Sequence, residues 1–300
     1  MIRLTPEVAD ALRDRRPVVA LESSVLAQGL PIPANREAAR RMDAAVRSGG
    51  GVPAVTAVVA GIPTLGLTDD ELERFLRRDG VRKLSSRDLA VAVARGSDGA
   101  TTVAATLAVI ANSEVRVFAT GGIGGVHRFP PFDESADLIE LARTPRIVVC
   151  AGAKSILDLP ATVERLETLG VPVIGYRTAE FPAFFSTSST LPVSATAETP
   201  EEVAAIERAH RRLGRREALL VVVPPPAAFA LDPREVDEAV EAALRDAEAG
   251  RRRGSAMTPY LLGAVERATS GRSRLVNLAV LEANAALATA IAAALGPRSA

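Results

Sequence analysis

Tryptophan is absent from this 300-residue chain, tyrosine occurs twice, and aromatic residues make up only 3%. That scarcity removes the usual platforms for stacking nucleic-acid bases. The formal net charge is zero, so no overall field draws the protein to nucleic acid or to an anionic membrane surface. A single cysteine, Cys150, excludes an internal disulfide framework and suits a reducing compartment. It ends the apolar run Ile147-Val148-Val149-Cys150 and is expected to be a small buried residue rather than a nucleophile. The two histidines, His127 and His210, are far apart and make no zinc pattern. No uninterrupted apolar stretch approaches the roughly 20 residues that span a bilayer. Asn277, Glu282 and Asn284 interrupt the Ala/Leu-rich segment that comes nearest, as a packed helix would allow. The start, Met1-Ile2-Arg3-Leu4-Thr5-Pro6-Glu7, has no apolar core of a signal peptide, so a cytoplasmic location is expected.

Lysine is the most telling shortage. Of 36 basic residues only Lys83 and Lys154 are lysines, the rest being arginine. An ε-amine can lose its proton when desolvated and attack a carbonyl to form a Schiff base, whereas a guanidinium stays ionised. The two exceptions therefore invite a chemical reading beside the alternative of compositional drift.

What is present is aliphatic: 48% of the residues are hydrophobic, enough for a large core in one domain spanning 1–300. Short β-branched runs alternate with helical patterns. Strands are expected at 17–22, 52–59, 115–119, 146–151, 172–175 and 218–223. Because they read as continuous apolar runs, they are expected to be buried on both faces, in an α/β sheet covered by helices. Thr68-Asp69-Asp70-Glu71, Thr199-Pro200-Glu201-Glu202 and Asp232-Pro233-Arg234-Glu235 read as capping boxes. Helices over 233–249, 259–269 and 273–295 make the C-terminal part helical. The basic stretch Arg208–Arg216 and the triplet Arg251-Arg252-Arg253 have acidic neighbours and read as solvated helix faces, not an RNA site.

The densest chemistry runs from Thr120 to Asp158. One expected strand leads into Thr120-Gly121-Gly122-Ile123-Gly124-Gly125-Val126-His127-Arg128. Glycines there allow close backbone approach to a ligand and can turn N–H groups towards an anion, although a tight turn needs glycine as well. The spacing fits no nucleotide-binding motif; a small phosphate or sugar phosphate suits it better. Asp133 and Asp137, four residues apart, would share a face at a helix start and suit a hard, largely hydrated ion such as Mn²⁺ or Mg²⁺. Each could instead be a helix cap. Lys154 follows the strand 146–151, where ligands bind in α/β sheets; the structural alternative pairs it with Asp158. Glu22-Ser23-Ser24 ends another strand and sets a carboxylate beside two hydroxyls, with Glu22 a candidate general acid. Gly99–Val103 reads as a helix start offering backbone N–H groups.

Taken together, these blocks resemble one family over nearly the whole chain. They are Ala20–Ser23 with Gly29–Asn35, Asp98–Thr106, Phe118–Arg128, Ser135–Leu138, Cys150–Asp158, Val171–Tyr176, Pro182–Phe185 and Gly271–Asn277. The family is that of the pseudouridine-5′-phosphate glycosidases, also called indigoidine-synthase-A-like. The resemblance implies reversible cleavage of the C–C glycosidic bond of pseudouridine 5′-phosphate to uracil and ribose 5-phosphate. It also implies an α/β/α sandwich with a largely parallel or mixed central sheet, a homotrimer and a Mn²⁺ requirement. Lys154 would be the Schiff-base nucleophile, Glu22 the proton donor and Asp133 the metal holder. Lys83, Val103, Ser135, Ala136 and Asp137 would bind substrate, with Thr120, Gly121, His127 and Asn277 at the pocket. A Schiff-base lyase or aldolase on another phosphosugar, or a sugar-phosphate-binding protein without turnover, are the alternative readings.

Overall fold

A computed structural model describes residues 2–130, 132–250 and 257–296. Its backbone is a mixed sheet whose centre is parallel. Strands β2 (Val18–Glu22), β3 (Val52–Val59), β7 (Val117–Ala119), β9 (Ile147–Cys150), β11 (Val173–Tyr176), β12 (Ala195–Ala197) and β13 (Leu219–Val222) run side by side in the order β3-β2-β7-β9-β13-β11-β12. All neighbouring pairs in that run are parallel. Beyond β3 the pattern changes. Strand β4 (Ile62–Leu65) pairs antiparallel with β3 and carries β1 (Arg3–Leu4) at the edge. Strand β6 (Gly99–Thr101) is also antiparallel to β3 and carries β5 (Arg82–Leu84). A separate two-stranded ribbon joins β8 (Val126–His127) to β10 (Leu157–Asp158).

The central strands are buried on both sides, and their side chains alternate between two cores as period-two geometry requires. Val18, Ala20, Phe118, Val148, Cys150, Leu220 and Val222 enter one core. There they meet α1 (Pro6–Arg13), α5 (Val103–Ile110), α6 (Ala136–Arg143), α7 (Leu159–Thr168), α9 (Pro233–Ala249) and α10 (Met257–Ala268). Val19, Leu21, Val117, Ala119, Ile147, Val149, Leu219 and Val221 enter the other, against α2 (Ala34–Ser48), α8 (Pro200–Arg212) and α11 (Arg272–Leu295). The result is the expected α/β/α sandwich. The remaining helices, α3 (Asp69–Arg77) and α4 (Leu89–Ala94), flank the β4–β6 side.

All six expected strands form, each trimmed or shifted by a residue or two except 52–59, which is unchanged. Helix 233–249 forms as expected; the next two begin slightly earlier. The Thr68 capping box is complete, with Thr68 Oγ1 accepting the Glu71 N–H and the Glu71 carboxylate accepting the Thr68 N–H. The other two are half boxes. Thr199 and Asp232 cap their helices, but Glu202 accepts from the Glu198 N–H and Glu235 pairs with Arg272. Arg211 binds the buried Glu207 within α8 and Arg215 binds Glu217 just beyond it, so acidic partners balance the basic stretch; Arg251–Arg253 lie outside the described residues.

By length and composition alone α11 could cross a membrane, yet 56% of its most apolar window is buried, and it packs against α2, α8 and the sheet. Its two asparagines lie seven residues apart and so share one face. Asn284 is buried, and its amide donates to the carbonyls of Thr120 (2.7 Å) and Gly121 (3.3 Å). Asn284→Ala leaves the Thr120 carbonyl unsatisfied, while Gly121 still accepts the Ala151 N–H (2.9 Å), and stability should fall by about 1–3 kcal/mol; the shift of the urea midpoint measures it.

Candidate active site

The carboxyl ends of β2, β7 and β9 are neighbours, and parallel register brings them level: Leu21 faces Ala119, which faces Val149. Glu22 therefore stands beside Thr120, while the chain after Cys150 turns to deliver Lys154. Three groups read separately from the sequence are collected here by sheet topology.

Lys154 is held from its backbone. Its N–H donates to the Ile123 carbonyl (3.1 Å), and its carbonyl accepts the Leu157 N–H (3.0 Å). The turn depends on Gly152, whose φ is +78° and where a Cβ would lie 2.1 Å from the Pro182 carbonyl oxygen. The side chain is half-buried and makes no hydrogen bond or ion pair among the described residues. The structural alternative fails: Asp158 accepts the Ala161 N–H (3.0 Å) as the cap of α7.

Glu22 is 6% exposed, and both its oxygens accept hydroxyl hydrogen bonds. Thr120 Oγ1 donates to Oε1, and Ser24 Oγ donates to Oε2 at 2.5 Å. Lys83 arrives from a different direction. It sits on β5, which pairs with β6, and β6 is anchored by buried hydroxyls. Ser23 Oγ and Thr101 Oγ1 both donate to the Thr56 carbonyl (2.6 Å each), Ser23 Oγ accepts the Thr101 N–H (2.9 Å), and Thr106 donates to Thr101 (2.9 Å). The adjacent serines of the Glu22-Ser23-Ser24 run thus divide their work, Ser23 bracing the sheet and Ser24 facing the acid.

Glu22, Ser24, Gln28, Lys83, Gly121, Lys154, Phe184 and Asn277 line one narrow cleft with about 50 Å³ of room for water. A larger hollow of about 700 Å³ lies at the opposite ends of β2 and β7, beside Arg16 and Arg116, and contains neither lysine. Lys83 keeps exposed surface, but it sits in a concavity, and removal from bulk water pushes its amine below the ordinary value of 10.5. The Lys154 charge adds to this; Glu22 and Asp137 oppose it. The cleft thus holds two amines and the Glu22 carboxylate, and the charge of Asp137, outside the lining, also acts on Lys83.

Gly121 and Gly122 line the cleft, and the run as a whole is shaped by close packing. None of Gly121, Gly122, Gly124 and Gly125 has the positive φ that favours glycine; what they supply is space. A Cβ on Gly122 would lie 2.6 Å from the Phe184 ring, on Gly124 2.3 Å from Ser135 Oγ, and on Gly125 2.4 Å from Thr162 Oγ1. The anion met by this loop is the protein's own: Asp137 Oδ2 accepts the Gly124 N–H and Oδ1 the Ala104 N–H, both at 2.8 Å.

Asp133 and Asp137 do not share a helix face. The cap of α6 is Ser135, so Asp133 precedes the helix while Asp137 turns back into the loop. Val103, Ser135, Ala136 and Asp137 are not among the residues that line the cleft; Val103 is 1% exposed. Thr120 is likewise buried, its hydroxyl given to Glu22. Ser24, Gln28 and Phe184 are cleft residues that motif reading passed over or left without a role; the signal for Ser24 was its place beside Glu22.

His127 is half-buried. Burial holds its imidazole below the ordinary value against the pull of Asp133, and the Lys154 charge reinforces the burial. The Asp133 carboxylate has no hydrogen bond or ion pair among the described residues, and no cluster of three or more His, Cys, Asp or Glu occurs among them. One unpartnered carboxylate near an imidazole fits a hard divalent ion that keeps most of its water. Cys150 is wholly buried with its thiol pushed up to about 12, chiefly by burial, so it is no nucleophile.

An unpaired amine beside a clamped acid, at the carboxyl end of a parallel sheet, defines an α/β enzyme suited to carbonyl chemistry on a small anionic substrate. The chain belongs to the family described as indigoidine synthase A like protein, whose model matches residues 7–294. It is 62% identical to a pseudouridine-5′-phosphate glycosidase of Gemmatimonas aurantiaca, covering 98% of this chain and 96% of that one. It is 51% identical to the glycosidase of the same description from Herpetosiphon aurantiacus, covering 97% of each chain. Among solved structures it superposes on a prealnumycin C-glycosynthase in complex with ribulose 5-phosphate, with TM-score 0.91, 38% identity and coverage of 98% and 97%. An indigoidine synthase A-like protein of Thermotoga maritima gives TM-score 0.89, 35% identity and coverage of 97% and 95%.

The depressed Lys83 amine has a thermodynamic consequence. Its protonated form is less favourable in the folded than in the unfolded chain, which costs stability below the folded pKa. That cost fades as pH rises through the folded pKa towards 10.5. Lys83→Met should therefore melt higher relative to wild type at pH 7 than at pH 10.5. Calorimetric melting of both proteins at the two pH values checks the sign.

Proposed function

We propose that this protein makes and breaks the C–C glycosidic bond of pseudouridine 5′-phosphate, interconverting it with uracil and ribose 5-phosphate. The observation that carries this reading is the single cleft holding Lys154, Glu22 and Lys83, in a chain 62% identical to a glycosidase of that description. A C–C bond offers no heteroatom leaving group for an acid to protonate, so two-carboxylate glycosidase chemistry has no purchase on it. An amine nucleophile solves that problem. In cleavage, Glu22 gives a proton to the ring oxygen as Lys154 Nζ bonds to C1′ and opens the furanose. The bound nitrogen then gives up a proton and its lone pair forms the C=N bond as C1′–C5 breaks; C5 keeps the bonding electron pair and takes that proton, leaving uracil and an iminium at C1′. Water hydrolyses the iminium to ribose 5-phosphate and frees Lys154.

The remaining residues bind and orient. Lys83 supplies a point charge for the phosphate and a neighbouring cation for Lys154. Asn277 presents an amide to the cleft with its Oδ1 unpartnered, a place for a donor on the base. Asp133 would hold Mn²⁺, with His127 beside it; bound there, the ion supplies a fixed positive charge against anionic substrate groups. The same reading includes a homotrimer in the cytoplasm. That a structural relative is described as a C-glycosynthase with ribulose 5-phosphate bound supports C–C bond formation on a pentose phosphate as the chemistry of this fold.

Incubation with uracil, ribose 5-phosphate and Mn²⁺ should yield pseudouridine 5′-phosphate. Binding of ribose 5-phosphate without product would favour a binding protein, and an imine without this product a lyase or aldolase on another sugar. Borohydride reduction in the presence of ribose 5-phosphate should trap an adduct on Lys154, located by peptide mass. Lys154→Arg should abolish the adduct and lower turnover by at least about 10³-fold. Full activity with Lys154 left unmodified would reject the nucleophile.

A further inference from the structure

Glu22 cannot deliver its proton freely, because both of its oxygens are already engaged. Thr120 Oγ1 occupies one, and Thr120 is 1% exposed and outside the cleft lining, so it holds the acid from behind. Ser24 occupies the other at 2.5 Å, and Ser24 does line the cleft, together with Lys154 and Lys83. The serine's local setting sharpens the point. It precedes the helical turn Val25–Gly29, where a serine ordinarily caps a backbone N–H, yet its hydroxyl makes no such bond and turns to Glu22 instead. A hydroxyl both donates and accepts, so it can carry a proton between two groups without changing its own charge.

We propose that Ser24 positions Glu22 and relays its proton to the ring oxygen of the sugar. The inference rests on Glu22 being the acid of the reaction. When Glu22 is protonated, its O–H on the Oε2 side donates to Ser24 Oγ, and the Ser24 hydroxyl turns outward to the ring oxygen. As the C1′–O4′ bond breaks, the ring oxygen takes the Ser24 proton and Ser24 takes the Glu22 proton. The end state has a neutral serine, a carboxylate accepting from Ser24 as the structure shows, and a sugar hydroxyl; no further reactant is needed. Thr120 stays donating to Oε1 throughout and keeps the carboxyl from rotating.

The test uses single-turnover imine formation from ribose 5-phosphate alone, quenched with borohydride, in the intact enzyme. Ser24→Thr and Ser24→Val have nearly the same shape and differ in the hydroxyl, so their comparison separates proton transfer from packing, with melting temperatures confirming that both fold. Ser24→Thr should keep the wild-type rate within about threefold, and Ser24→Val should lose roughly 100-fold, at the lower end of what acid–base catalysis contributes. Half-saturation by ribose 5-phosphate should be unchanged. In H₂O/D₂O mixtures, the rate for wild type and Ser24→Thr should bow with deuterium fraction because two protons move together, and the Val variant should give a straight line. Equal rates for the Thr and Val variants, or a straight line for wild type, would overturn the relay. Failure of wild type itself to form any adduct would instead reject the imine reading on which it rests.

Discussion

Parallel register is the constraint on which the site depends. Leu21, Ala119 and Val149 lie level on β2, β7 and β9, so the residues that follow them emerge together at one edge of the sheet. No local preference brings Glu22 to Thr120 across 98 residues of sequence; the ladder does. The burial of these strands on both faces makes a slip costly, because a shift of one residue would exchange the two cores. The catalytic geometry thus inherits its precision from packing well away from the chemistry.

Around that edge the protein supplies its own counter-charges. Asp137 engages two backbone N–H groups from separate segments, at Gly124 and Ala104, and so joins α5, α6 and the glycine loop through one carboxylate. Hydrogen bonds to an ionised acceptor are stronger than neutral ones, which makes this a rigid joint. The two lysines are left without ion-pair partners among the described residues, while every well-placed carboxylate except that of Asp133 is already spoken for. A site arranged in this way has cations to offer an anionic substrate and few acceptors left to compete for them.

How much of this could be read in the sequence follows from how each element is stabilised. The six central strands were legible because burial on both faces writes a continuous apolar run. The short strands β1, β4, β5, β6, β8, β10 and β12 were not, since each exists only through its partner. Lys83 shows the effect: nothing in Val81–Ser86 announces a strand, and its place is set by pairing with β6 and by the Ser23–Thr56–Thr101 hydroxyls. Lys154 stood out because an expected strand led straight to it. The glycine run stands out in the sequence, and close packing is one reason for it. The sequence could not say that the space would be filled by Phe184, Ser135 and Thr162, because those contacts cross long stretches of chain. Asp133 and Asp137 were misread as facing one way because the helix starts at Ala136, one turn later than their spacing suggested.

Helix α11 carries one further implication. Its Asn277 lines the cleft and its Asn284 holds the Thr120 and Gly121 carbonyls, although both residues follow every strand of the sheet in the chain. During synthesis the sheet can therefore be complete while the cleft is still missing a wall and the peptide beside the acid still lacks its brace. The nascent protein passes through a stage in which the lysines are present but unsheltered. A complete cleft therefore depends on the docking of a helix that follows every strand of the sheet in the chain.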